Sequence, residues 1–226
     1  MRGPIKDSAA RFQGMKLLGN AQLLKTGPVD HADWNYRPFL GAIQRSRFRL
    51  ALRLLDNRRF HRLLEIGYGS GVFLPELALH CDELYGVDVH QMPEPVSRVL
   101  ASGNVDAKLY TASATQLPFP DGFLDGIVAV SSLEFVEGLQ QACAEIARVL
   151  TPDGWLVVIT PGHSPLVDLG LRLLTGESPK ADYGGRREQL IPQVLQHFKV
   201  ARELRIPWAL SSLVCLYRGL RLLRRD

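Results

Sequence analysis

A chain of 226 residues with 46% hydrophobic and 22% charged side chains has the size and balance of one soluble globular domain. No apolar run approaches the ~18–20 residues needed to span a bilayer, the opening MRGPIKDSAARF lacks the apolar core of a secretion signal, and the scattered Cys81, Cys143 and Cys215 suit neither a disulfide framework nor a zinc site. The net charge of +4 is uneven, with +4 on residues 1–25, +5 on 199–226 and −5 on the 173 between, a distribution that fits either an anionic partner surface or two solvated ends.

In chain order, residues 8–25 space Phe12, Met15, Leu18 and Leu23 at roughly helical intervals, with Ser8 as N-cap and Gly27-Pro28 as terminator. A second helix is predicted from Pro38 to about Leu55, with Phe39, Ile43, Phe48, Leu52 and Leu55 on one side. Residues 1–59 thus read as a helical N-terminal extension, expected to close over a site in the domain at 60–226. After Arg59 the pattern changes to short apolar strands at 62–66, 84–88, 107–111, 124–130 and 154–160, separated by helical stretches near 71–80, 94–102, 137–150 and 165–174. That alternation predicts an α/β fold with a mostly parallel sheet covered by helices on both faces. Toward the end, HFKVARELRIP reads as a strand. Residues 209–223 read as an antiparallel last strand, giving a seven-stranded sheet, or as an amphipathic helix; the strand is favoured.

The segment LLEIGYGSGVF places Gly67, Gly69 and Gly71 directly after the first strand. A dinucleotide fingerprint needs its third glycine at position 72, which is Val72. Instead Glu65 stands two residues ahead of Gly67. A carboxylate there repels a pyrophosphate but suits a ligand bearing an ammonium or sulfonium group. Asp88 ends the second strand, 17 residues beyond Gly71, where an acid can accept hydrogen bonds from ribose hydroxyls. Two further marks are the proline-bounded loop and strand from Ser113 to Val130 and the helix–turn–strand run from Ile146 to Val158.

Together these four marks resemble the class I S-adenosylmethionine-dependent methyltransferases, in particular the type 11-like branch that acts mostly on small molecules and lipids. The resemblance runs from about Arg62 to Thr160. It implies a Rossmann-like sheet and S-adenosyl-L-methionine as cofactor, with the methionine half held by Glu65, Gly67, Tyr68, Gly69 and Gly71. It also implies that Asp88 holds the ribose, with Val89 or His90 beside the adenine. Ser113, Ala114 and Thr115 would lie at the adenine edge, and Val130, Ser131 and Ser132 beneath the sulfonium. Where the family usually has an acid, this chain has Ser113, so adenine anchoring without charge assistance is expected.

The acceptor side leaves alternatives open. Glu134 is either a substrate-facing catalytic residue or a solvated helix-start acid, and His163 either a general base or an inert loop histidine. Tyr36 and Arg37 either form a lid over the cofactor or pack a helix start; Tyr183 is a further lid candidate. Asp121 and Asp125 read as turn residues. No Asn/Asp-Pro-Pro-aromatic run or Pro-Cys nucleophile follows the fourth strand, and the cysteines do not cluster. Methylation of bases, pyrimidine carbon and arsenicals is therefore disfavoured. What remains is O-, N- or C-methylation of a small or amphiphilic, lipid-like acceptor, driven mainly by positioning, with no metal. The alternative is a cofactor-binding regulatory protein of the same fold that transfers nothing. The expected setting is cytoplasmic. The basic, leucine-rich ends suggest peripheral contact with an anionic inner membrane surface, and nucleic acid is disfavoured as a partner.

Overall fold

The sheet grows from strand β3 (Phe60–Ile66), whose consecutive side chains pack into opposite halves of the core: Leu63 into one, Leu64 into the other, both fully buried. Strands β6 (Leu124–Val130) and β7 (Leu150–Pro161) repeat this, with Val128 and Val157 on the first face and Ile127 and Leu156 on the second. A strand apolar on both sides belongs inside a parallel sheet sandwiched by helices. The computed structural model describes residues 9–12, 14–28, 30–162, 186–207 and 215–225. It completes the sheet with β4 (Cys81–Asp88), β5 (Lys108–Thr111), β8 (Phe198–Ile206) and β9 (Tyr217–Arg224). The seven strands lie in the order β5-β4-β3-β6-β7-β9-β8. Strand β9 runs antiparallel to both its neighbours and the β3, β4, β5, β6 and β7 ladders are parallel, so the last strand is the antiparallel one, as its sequence favoured.

Helix α1 (Leu40–Leu55) covers the first face, and α4 (Leu139–Val149) with α5 (Arg186–His197) the second. Leu50, Leu54 and Leu55 of α1 are fully buried, each worth roughly 1.5–3 kcal/mol of transfer free energy. They share one core cluster with Leu63 and Val157, so packing continues unbroken across residue 59. Two shorter helices, α2 (Leu74–Leu77) and α3 (Pro93–Ser102), flank the glycine loop.

The structure corrects the expected helix at 8–25. Strands β1 (Ala9–Phe12) and β2 (Met15–Leu18) form a hairpin there, followed by a 3₁₀ turn at Asn20–Gln22. Gly14, at φ +91°, makes the tight connection, and Met15 and Leu17 are buried on the period of a strand. The hairpin is tied to the domain by hydrogen bonds from the Leu18 amide to the Val72 carbonyl, 3.1 Å, and from the Lys16 amide to the Glu76 carboxylate. The described residues of the extension thus form a hairpin, 3₁₀ turns and one helix. The helix expected near 165–174 lies outside the described residues.

The arginines described near the C-terminus are held against the domain: Arg205 and Arg218 pair with Glu203, and Arg202 and Arg221 with Asp56. Arg224 donates to the Ala147 and Leu150 carbonyls and Arg225 to that of Phe198. Among the described residues, no helix is long and apolar enough to cross a membrane.

Candidate functional site

The parallel strands end at a cavity of about 780 Å³ above β3, β4, β6 and β7, roofed by residues from 26–28 and 30–48 of the extension. Open α/β sheets hold ligands at this carboxyl edge, where the strand order reverses, here between β3 and β6. The volume lies within the usual range for small-molecule sites.

The glycine loop is shaped by backbone demands. Gly67, at φ +77°, donates its amide to the Val87 carbonyl at 2.8 Å; a Cβ there would lie 2.4 Å from that of Ser132. A Cβ on Gly69, at φ +52°, would meet nothing closer than Asp30 at 3.8 Å, which leaves that stretch of backbone open to a ligand. Gly71 does not line the cavity. Its Cβ position abuts Val96 at 3.1 Å, so it permits α3 to pack close.

Asp88 is locked in place. One carboxylate oxygen accepts the Gly69 amide at 2.8 Å, and the other accepts the amides of Val89 at 2.7 Å and His90 at 3.4 Å. His90 accepts the Met92 amide at Nδ1, 3.1 Å, which leaves Nε2–H to donate to the Gly69 carbonyl at 3.0 Å. The loop and the tip of β4 are thereby bonded as one unit. Tyr68 meets the His90 ring edge-on at 4.9 Å, and its phenol pKa is pushed up, first by burial and then by Asp88 and Glu94.

Glu65 is buried on the cavity wall, and its Oε2 has no hydrogen-bond partner among the described residues. Burial raises its pKa from 4.5 to about 8; Arg47 on α1 opposes the rise and Asp88 adds to it. The Oγ atoms of Ser70 and Ser131, the Oδ1 of Asn35 and the Nε of Arg47 are likewise buried without partners among the described residues, and all belong to lining residues. Buried polar groups are ordinarily bonded, and each left orphaned costs about 1–3 kcal/mol. With the Tyr68 hydroxyl, buried and unpartnered among the described residues on the same wall, six such groups surround one cavity and mark the footprint of a polar ligand. Ser131 adds a left-handed backbone, φ +52°, with its amide on the Ile159 carbonyl at 2.7 Å.

Of the residues singled out from sequence, Glu65, Gly67, Tyr68 and Gly69 line the cavity from β3 and its loop. Asp88, Val89 and His90 line it from β4, and Ser113, Ala114, Val130 and Ser131 from the next two strands. Thr115 stands behind Ser113, its hydroxyl 2.7 Å from that of Ser113 and its amide donating to it at 3.2 Å. Glu134 is buried in a 3₁₀ turn off the cavity, where its carbonyl accepts a hydrogen bond from Arg186; the neighbouring Phe135, Val136 and Glu137 form the wall instead. Tyr36 does not line the cavity either. Its hydroxyl donates to the Leu18 carbonyl, and burial pushes its pKa up to about 12. Arg37 pairs with Asp33 at 2.7 Å beside Trp34. His163 and Tyr183 lie outside the described residues. The sequence reading missed the groups that face the cavity from the extension: His31 and Trp34, stacked at 4.3 Å, with Asn35, Gln44 and Arg47. The available signal was the pair Gln44 and Arg47, polar residues on the same helical face as Phe48 and Ala51.

Residues 64–158 match the methyltransferase domain family. The uncharacterized methyltransferase YcgJ of Bacillus subtilis (strain 168) is 30% identical over 112 residues, 49% of this chain and 44% of that protein. The demethylmenaquinone methyltransferase of Deinococcus radiodurans is 30% identical over 101 residues, 43% of this chain and 42% of that protein. The chain thus spans about half the length, or less, of these relatives. Among solved structures, the N-methyltransferase NodS from Bradyrhizobium japonicum WM9, in complex with S-adenosyl-L-homocysteine, superposes with a TM-score of 0.63 at 20% identity, covering 89% of this chain and 95% of that one. The shared fold is the Rossmann-like seven-stranded fold of these methyltransferases.

Proposed function

We propose that this chain, whose residues 64–158 form a methyltransferase domain of the S-adenosylmethionine-dependent class, transfers a methyl group to a small or amphiphilic acceptor at the carboxyl edge of its sheet. The observation that carries the reading is the pairing of two acids across the glycine loop. Glu65 is buried with an unspent oxygen, while Asp88 is held rigid by three amides at the tip of the adjacent strand. S-adenosylmethionine would bring an already activated methyl on its sulfonium. Toward it, Glu65 would receive the ammonium, Asp88 the ribose hydroxyls, and Val89, Ser113 and Ala114 the adenine. The Ser113 hydroxyl is already engaged with Thr115, which supports uncharged, weaker adenine contacts.

Beyond Ser131, toward β7 and β9, the wall is mostly apolar, with Ile43, Phe48, Pro161 and Leu216. Gln44, also on this wall, accepts the Tyr217 hydroxyl at 3.4 Å and would offer an acceptor its amide. Such a chamber suits an acceptor with an apolar body and a few polar atoms. Its contribution is alignment and exclusion of water, worth on the order of 7–11 kcal/mol when the reacting atoms are well placed. The test is calorimetric titration with S-adenosylhomocysteine, then incubation with methyl-labelled cofactor and a metabolite and lipid extract. Saturable binding and label in a small or lipid-extractable product are expected. Absence of binding at millimolar ligand refutes the reading.

A further inference from the structure

The geometry points to Arg47, on the helix that precedes the methyltransferase domain, as the residue that grips the carboxylate of the cofactor's amino-acid group, so that Glu65 and Arg47 together form a clamp for a zwitterion. This inference rests on the function proposed above and adds to it a ligand contact from outside the family domain.

Four observations carry it. First, Arg47 is the only lysine or arginine among the described residues that line the cavity, whose acids are Asp30, Glu65, Asp88 and Glu137. Second, its Nε is buried without a hydrogen-bond partner, and Glu65 Oε2 is buried in the same condition. Third, the two charges lie within electrostatic reach of each other, yet no hydrogen bond or ion pair joins them among the described residues. An acid and a guanidinium that line one space without touching leave room for a group carrying both signs. An α-amino acid is such a group: its ammonium and carboxylate are separated by a single carbon. Fourth, the guanidinium is held in place from behind. It stacks 4.9 Å from the Phe48 ring, which itself stacks on Phe73 at 4.5 Å. A planar fork fixed by an aromatic plane is preorganised for bidentate contact with a carboxylate.

The neighbouring arginines are committed elsewhere or do not line the cavity: Arg45 donates to the Asn35 carbonyl, and Arg49 and Arg53 are off the wall. Because Arg47 belongs to α1 and Glu65 to β3, an amino-acid group bound between them would pin the extension to the domain.

The experiment compares two ligands that share the thioether nucleoside and differ in the amino-acid group: S-adenosylhomocysteine and 5′-methylthioadenosine. Kd values are measured by calorimetry for the unaltered chain, Arg47→Gln and Arg47→Lys. Losing a charge-assisted contact of about 1.5–3 kcal/mol corresponds to a roughly 10- to 150-fold weaker Kd. Arg47→Gln should lose that factor for S-adenosylhomocysteine and stay within about twofold for methylthioadenosine, with Arg47→Lys between. The ratio of the two constants within one variant cancels any loss of folded protein. Hydrogen exchange in residues 30–55 should slow with S-adenosylhomocysteine and much less with methylthioadenosine. An unchanged ratio in Arg47→Gln overturns the inference and assigns Arg47 to the acceptor or to packing. Failure of the unaltered chain to bind S-adenosylhomocysteine overturns the functional reading along with it.

Discussion

On the proposed reading, in which Glu65 receives an ammonium group, ligand binding is a proton-linked event. With its pKa raised to about 8 by burial, only about one molecule in eleven of the empty protein carries the ionised carboxylate at pH 7. An ammonium group selects that form, so binding at pH 7 should release about 0.9 proton. The fraction competent to bind rises about ninefold from pH 6 to pH 7. Affinity should then level off near pH 8, where an α-amino group begins to lose its own charge. The charges facing Glu65 are Arg47 from α1 and Asp88 from β4, and their opposed effects leave burial dominant. The assay is calorimetry with S-adenosylhomocysteine in phosphate and in Tris at pH 7; the dependence of the enthalpy on buffer ionisation gives the proton count. Methylthioadenosine should show no release, nor should Glu65→Gln with either ligand. A Kd that is flat between pH 6 and 7, or equal proton release in Glu65→Gln, refutes the reasoning. The same shift acts on stability. A carboxyl whose folded pKa lies above its unfolded one binds more protons when folded. The empty protein therefore loses about 1.4 kcal/mol per pH unit between roughly pH 4.5 and 8. Glu65→Gln should remove that slope and be the more stable protein at pH 8.

Gly67→Ala should lower stability by about 2–4 kcal/mol, because it adds a left-handed penalty to overpacking against Ser132. Gly69→Ala should cost only about 1–2 kcal/mol in stability while weakening ligand binding, since the space its Cβ enters is the ligand's. Urea unfolding and titration separate the two effects, and equal stability losses contradict this account. Tyr36→Phe should cost about 1 kcal/mol from the lost tether to Leu18 and leave the Kd for S-adenosylhomocysteine within about twofold. A large affinity loss would return Tyr36 to the site. A chain cut to 60–226 should not yield a monomeric folded product in size-exclusion chromatography, because it uncovers the sheet face packed by Leu17, Leu18, Leu50 and Leu54.

What the sequence made legible was whatever a short stretch decides for itself. Leu63-Leu64 and Ile127-Val128 announce strands buried on both faces, and the candidate residues Glu65, Gly67, Gly69 and Asp88, which line the cavity, all stand within three residues of a strand end. The hairpin was misread because Phe12, Met15 and Leu18 satisfy a spacing of three, while the fold uses Met15 and Leu17 at a spacing of two around Gly14. Position 14 was the deciding signal, since glycine at positive φ favours a turn over a helix interior. Helix α5 escaped notice because Pro192 sits inside it. Yet Leu190 and Val194, four residues apart on α5, are buried against α4 and the sheet, so tertiary packing outweighs the local penalty.

The acceptor side resisted for a different reason: its wall is assembled from segments far apart in the chain, and no local pattern marks them. Gln44 and Tyr217 meet across 173 positions of sequence, and Arg47 reaches the surroundings of Glu65 only because α1 lies against β7, β8 and β9 rather than beside the glycine loop in sequence. Recognition is thus divided by its physics. The nucleoside end needs a backbone turn and one acid, which a strand–loop–strand unit supplies alone. The charged amino-acid end and the acceptor need groups brought in from another layer. On the proposed reading, the covering helix, which looks like an appendage in sequence, would carry the contacts that distinguish one ligand from another. Substitutions along its inner face, at Gln44 and Arg47, should alter which ligands bind before they alter whether the sheet folds.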